Sequence, residues 1–173
     1  MTTELEILFQ LYKEYYKNFH KNGLEVCYRV FFMGIDFNLE STPSGKPNSD
    51  FFAELKQIRN THKATDGNER TFHGVKLNIK FKPFSGHQSR LAHYYRHLFQ
   101  MVNFVVKQKE DFISYEKKRN YLRTLRAQLS NHEQALLFYN WYSGFGEQWE
   151  SENNKFFTDY RMIHNIHQAL LFD

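Results

Sequence analysis

From Gly86 to Tyr142 the chain repeats one pattern, apolar side chains at steps of three and four residues. A helix gathers such residues onto one face, and that face must be buried. A long helix is predicted from about His87 to Lys107, with Leu91, Tyr94, Tyr95, Leu98, Met101, Val102 and Val105 facing inward. A second follows from about Asp111 to Leu129, with Tyr115, Leu122, Leu125 and Leu129 as its seam. Ser130-Asn-His-Glu133 reads as a capping box, in which the serine oxygen and the glutamate each satisfy an N–H at the helix start. The third helix then runs from Asn131 to about Tyr142 and stops at Ser143-Gly144-Phe145-Gly146. The last segment, Glu147 to Phe172, reads as one bent helix or two short ones.

The N-terminal half is less regular. A first helix is expected from near Thr3, carrying Leu5, Leu8, Phe9, Leu11, Tyr12, Tyr15, Tyr16 and Phe19, with Asn22-Gly23 as its stop signal. Leu24 to Leu39 fits either a strand or a helix, and its length favours a helix. Residues 41–49 read as a loop, and Asp50 as the cap of a short helix with Phe51, Leu55 and Ile58 facing inward. Residues 61–71 read as a polar, mobile connection. Val75 to Phe81 alternates strictly between apolar and polar residues, a half-buried strand that Phe72 could extend. A lone strand leaves its backbone unpaired, so its partner is sought in 24–39 or on another subunit. The expected fold is mainly α: one domain over residues 1–173, a helical bundle with a minor β element near 72–81. Its core is expected to be the three helices from Gly86 to Tyr142, joined by the first and last helices.

Composition narrows the setting. A chain of 173 residues buries a sizeable core without metal or disulfides. Cys27 is the single cysteine, which excludes an intramolecular disulfide and fits a reducing compartment. It reads as a buried small hydrophobe rather than a nucleophile. The abundant Phe and Tyr side chains read first as core and second as a stacking surface for bases. The first ten residues lack a secretory pattern, and the longest apolar run, Val26 to Ile35, is too short to span a bilayer. A cytoplasmic protein without a membrane span is expected. The net charge of +4 permits RNA or phosphate binding without requiring it.

Several polar groups share helix faces. Arg90, His93, His97 and Gln100 lie on one face of the long helix, with Arg96 beside them. Two histidines four apart can hold a metal, but no acid or cysteine accompanies them, so neither a metal nor a cofactor is expected. Arg119, Arg123 and Arg126 form a basic stripe able to hold phosphates, although Arg119 and Arg123 read as a solvated face. Arg126 and His132 are a candidate catalytic pair. Their spacing resembles the nuclease motif of the HEPN superfamily, which implies metal-free RNA cleavage at a dimer seam. Histidine moves protons near neutral pH, and arginine stabilises a phosphorane-like charge. His164 and His167, one turn apart, read as structural or surface residues.

A more specific resemblance spans residues 86–172. His93-Tyr-Tyr-Arg-His-Leu-Phe-Gln100, then Tyr121-Leu-Arg-Thr-Leu-Arg-Ala-Gln-Leu-Ser130, then Glu133 and Leu136-Leu-Phe-Tyr-Asn140 with Ser143 and Gly146 occur in order. This series resembles the putative phage abortive infection protein family. The resemblance implies bacterial defence against phage, by a sensor or effector that arrests the infected cell. The implied partners are a phage component, a defence protein or RNA, and a homodimer accompanies the nuclease reading. Arg96, His97, Gln100, Gln128, Glu133 and Asn140 are the polar residues proposed for binding, unless they form a hydrogen-bonded network that locks the helices. Arg96 in particular is expected to bond a carboxylate, with Glu133 the nearest candidate, or helix-end carbonyls, across the interface of the long and third helices.

Overall fold

A computed structural model describes residues 2–16, 21–36, 49–62 and 70–171. Helices dominate it, as the apolar spacing requires: α1 (Thr2–Tyr15), α2 (Lys21–Met33), α3 (Ser49–Thr61), α4 (Gln88–Val106), α5 (Tyr115–Arg126) and α6 (Asn131–Tyr142). A hairpin of β1 (Arg70–Phe72) and β2 (Val75–Leu77) is the minor β element. The described residues fall into two units, Met1–Ser89 and Arg90–Asp173.

In the first unit α1 packs on α2 and on β2. Leu5, Leu8, Phe9 and Tyr12 of α1 are buried, as are Val26, Tyr28, Val30 and Phe31 of α2. The ambiguous 24–39 segment is therefore helical through Met33. Asn22-Gly23 does not end a helix but lies in the first turn of α2. The loop expected at 41–49 lies outside the described residues up to position 48, and α3 begins at Ser49. Phe51, Leu55 and Ile58 of α3 face inward, as their spacing predicts. Cys27 is buried, its thiol donates to the Leu8 carbonyl at 3.5 Å, and burial pushes its pKa well up. It is core, not a nucleophile.

Among the described residues the strand's partner is not drawn from 24–36. It is β1, which pairs Phe72 with Val75 and Arg70 with Leu77. His73 and Gly74 form the two-residue turn with φ of 46° and 80°, the left-handed geometry that tight hairpins need. The segment expected to be a mobile connection thus ends in a strand, while residues 63–69 lie outside the described residues. Val75, Leu77 and Ile79 point inward and Lys76, Asn78 and Lys80 outward, so the alternation outlasts the short ladder.

One buried carboxylate organises this unit. Glu4 is 1% exposed and accepts from the Phe84 N–H and the His87 ring. Phe84 is fully buried with a φ of 56°. The same segment touches α2's end, where Gly34 and Gly86, both at positive φ, meet backbone to backbone. A Cβ on Gly86 would come within 2.7 Å of Gly34 N. The His87 N–H donates to the Phe31 and Phe32 carbonyls at 3.1 and 3.0 Å, satisfying groups a helix end leaves open.

In the second unit Leu91, Tyr95, Leu98 and Val102 of α4 are buried. α6 is the most enclosed helix, with Ala135, Leu136, Leu137 and Tyr139 all inside. Its predicted limits and its capping box are both present. α5 begins at Tyr115, not at Asp111, because Phe112 and Ile113 donate to the Lys109 carbonyl in a turn of their own.

The C-terminal segment corrects the expectation. Beyond α6 there are only two 3-10 turns, Glu147–Trp149 and Gln168–Leu170. Glu150 accepts from the Phe157 and Thr158 N–H groups, and Arg161 and Asn165 sit at φ of 52° and 57°, which no continuous helix allows. The expected core also changes. α1 packs in the first unit, and no last helix joins the α4–α6 bundle.

Glu4→Ala should cost about 3 kcal/mol, because it strands two buried donors. Gly86→Ala should destabilise through both strain and overlap with Met33 and Gly34. Urea melts followed by circular dichroism test both. A variant at either position as stable as wild type would show that this junction is dispensable.

Candidate functional site

The α5 helix has two unlike faces. Lys118 and Leu122 point inward and are buried. Glu116, Arg119, Asn120, Arg123 and Arg126 recur at steps of three and four on another face. There they line a cleft of about 460 Å³ whose other wall is Tyr160, Arg161 and His164.

Each wall is held in place. The Lys118 ammonium donates to the Val106 and Gln108 carbonyls at 2.9 and 2.5 Å, which fixes the rotation of α5. The Tyr115 hydroxyl donates to the Asp159 carbonyl at 3.3 Å, and its ring meets Tyr160 edge-on at 5.6 Å. Arg126 Nη1 donates to the Arg161 carbonyl at 2.7 Å. The His164 N–H donates to the Gln134 Oε1 at 3.0 Å. Glu116 and Tyr160 therefore mark one end of the cleft, and Arg126 with His164 the other.

The cleft is strongly cationic. It holds four guanidinium groups against one carboxylate. Among the described residues none of the four is ion-paired to a carboxylate. Burial lowers the Arg126 pKa, and the nearby Arg123 and Arg161 charges lower it further. The guanidinium nonetheless stays charged in any aqueous protein. Clustered like charges repel, and a bound anion relieves that repulsion.

The residues predicted from sequence are dispersed. Arg126 lines the cleft, but His132, its expected catalytic partner, is exposed on the first turn of α6 and does not. Arg119 is half-buried and Arg123 exposed, as expected of a solvated face, and both also line the cleft. Arg96, His97 and Gln100 are exposed on α4, and Gln128 is exposed between α5 and α6. Arg96 does not take Glu133. Instead the Tyr94 hydroxyl donates to Glu133 at 3.1 Å, and Ser130 donates to the same carboxylate through its N–H and its hydroxyl, both at 2.8 Å. Asn140 is buried, with its side-chain oxygen against Gly146. Glu133 thus caps α6 and is tied to α4 through Tyr94, while Asn140 lies buried beside Gly146. Tyr160 and Arg161 were not selected from the sequence, and His164 was read as structural or surface, because the segment that carries them is irregular and periodicity gives no face there. Among the described residues no group of three His, Cys, Asp or Glu side chains could hold a metal.

The second unit is therefore a small, mainly helical unit with an arginine-lined cleft on α5. Residues 86–170 match the family model described as putative phage abortive infection protein, as the ordered motifs of this half suggest. The match takes in α4, α5, α6 and both walls of the cleft. No curated protein and no solved structure matches the chain. No helix among the described residues is long and apolar enough to cross a membrane.

The Glu133 node gives a pH dependence. Burial pushes its carboxyl up, but the Ser130 N–H, the Ser130 hydroxyl and the Tyr94 hydroxyl outweigh that and hold it below its usual value. A depressed folded pKa stabilises the fold above the unfolded value, about 4.3, and that stability fades as pH falls through the folded value. Burial, then the charge of Glu133, pushes the Tyr94 phenol up to about 12. Ser130→Ala should cost about 1 kcal/mol. Glu133→Gln should flatten the acid limb of stability between pH 5 and 3, roughly the range set by ordinary carboxyls. Melts of wild type and variant across that range test this, and parallel curves would refute it.

Proposed function

We propose that this chain is an anti-phage defence protein of the abortive infection kind, acting in the cytoplasm as a sensor or effector module. Its working surface is the arginine cleft, which takes a phosphate-bearing ligand. One observation carries this reading: four guanidinium groups, unpaired with carboxylates among the described residues, share one cleft inside the family-matched segment. Such a cluster adds nothing to folding that neutral side chains could not supply, and it suits phosphate oxygens well.

Metal-free RNA cleavage is a second reading, and one feature favours it. His164 shares the cleft with Arg126 and could carry a proton where His132 cannot reach. Total RNA should then fragment on induction of the wild type and stay intact with His164→Ala.

The defence reading is tested by challenging bacteria that carry or lack the gene with a diverse phage panel. Equal plaque counts throughout would end it. Arg123→Glu combined with Arg126→Glu should abolish protection. The stability cost should be only about 1 kcal/mol, from the lost bond to the Arg161 carbonyl. Full protection by that variant would remove the cleft from the account.

A further inference from the structure

The cleft is not uniform along its length, and its polarity says what kind of phosphate ligand it suits. At the Arg126 end the lining is Arg123, Arg126, Arg161 and His164, three guanidinium groups and an imidazole with no carboxylate among them. At the Tyr115 end the chemistry changes. Tyr160 offers a ring braced edge-on by Tyr115, Asn120 offers an amide, and Glu116 offers a carboxylate. A site for phosphate alone gains nothing from a carboxylate, which repels it. A carboxylate suits a ligand that also donates hydrogen bonds, as ribose hydroxyls and base amino groups do, and acidic side chains bind ribose in dinucleotide sites for this reason. An aromatic ring beside it suits the face of a base.

The charge distribution separates a compact ligand from a long strand. The cleft's four arginines and one glutamate leave an excess of three, where the whole chain's excess is four. The charge excess is thus concentrated at the cleft, which suits a compact polyanion. A volume of about 460 Å³ lies in the range of small-molecule and cofactor sites. Along α5, Glu116 to Arg126 spans roughly 15 Å at 1.5 Å per residue, enough for a nucleoside at one end and phosphates at the other.

We propose, resting on the cleft reading above, that the ligand is a ribonucleoside polyphosphate. Its nucleoside lies at Tyr160, Asn120 and Glu116, and its phosphates at Arg123, Arg126 and Arg161. His164 adds a donor at the phosphate end.

Calorimetric titration of the full chain in metal-free buffer tests this. The probes are the common ribonucleoside triphosphates, their monophosphates, inorganic triphosphate and a short single-stranded oligoribonucleotide. At least one nucleoside triphosphate should bind about tenfold more tightly than both its monophosphate and inorganic triphosphate, a factor of about 1.4 kcal/mol. Arg126→Gln should weaken the triphosphates about tenfold. Tyr160→Leu should weaken the nucleoside triphosphate without weakening inorganic triphosphate. Glu116→Gln, at an exposed position that does not threaten the fold, should weaken the nucleoside triphosphate and tighten inorganic triphosphate. Inorganic triphosphate binding as well as the nucleoside triphosphates would overturn the nucleoside assignment while leaving a phosphate cleft. Binding of the oligoribonucleotide alone would overturn the proposal in favour of a strand, with the cleft reading intact. Binding of none of the probes would end both.

Discussion

A lysine ammonium taken out of water must be met by oxygen, and this requirement at Lys118 sets the geometry of the C-terminal unit. The residue is 5% exposed. Burying an unpaired ammonium costs several kcal/mol, so the structure supplies acceptors. They are the Val106 and Gln108 carbonyls, at the end of α4, where the helix leaves carbonyls unsatisfied and its dipole is negative. One side chain thus solves two problems, and the solution has a directional consequence. With Lys118 and Leu122 turned inward, the 100° step per residue swings Arg119, Arg123 and Arg126 to another face of α5. The cleft's basic wall follows from a buried charge on the other side of the same helix.

The opposite wall is positioned without regular secondary structure. Trp149, Phe156 and Met162 are nearly or fully buried, and Phe99 meets both Trp149 and Phe156 within 5.5 Å. Trp149 also stacks on Phe157, with planes 13° apart. Aromatic side chains bury large areas per residue, so a few of them can hold an irregular chain against a bundle. Glu150 then satisfies the backbone that a helix would have satisfied, accepting from Phe157, Thr158 and the Thr158 hydroxyl. Arg161 and His164 are therefore presented from a fixed segment, tied by backbone bonds to Arg126 and Gln134.

This division explains what could be read from the residues alone. α6 and its capping box were legible because both depend on spacing within a few residues, and α3's inward positions were legible for the same reason. The hairpin partner was missed because β1 carries little alternation and depends on the His73-Gly74 turn. The arginine stripe was visible as a pattern, but the wall that faces it was not. What makes it a cleft is the Tyr160–His164 wall, brought there by contacts thirty or more residues apart in sequence, such as Arg126 to Arg161 and Gln134 to His164. The Arg96–Glu133 contact failed through a rule of proximity. Tyr94 reaches the same carboxylate, and once the capping box and a phenol occupy it, an exposed guanidinium gains little by joining.

The contrast among the charged groups of this unit separates folding from function. Lys118, Glu133 and Glu150 lie at element ends, and each is met by backbone or side-chain partners that close a helix or a turn. Replacing any of them removes bonds that close a helix or a turn. The cleft arginines differ. Arg126 makes one backbone bond, while Arg119 lies 5.8 Å from the Tyr115 ring. Their mutual repulsion is tolerable because the cleft is open to water, which screens it. A fold that selected only for stability would intersperse carboxylates there, as it does at Asp36 beside Arg59 in the other unit. In the α5 cleft four arginines share one carboxylate, and the anion proposed above would supply the charge that a side chain does not.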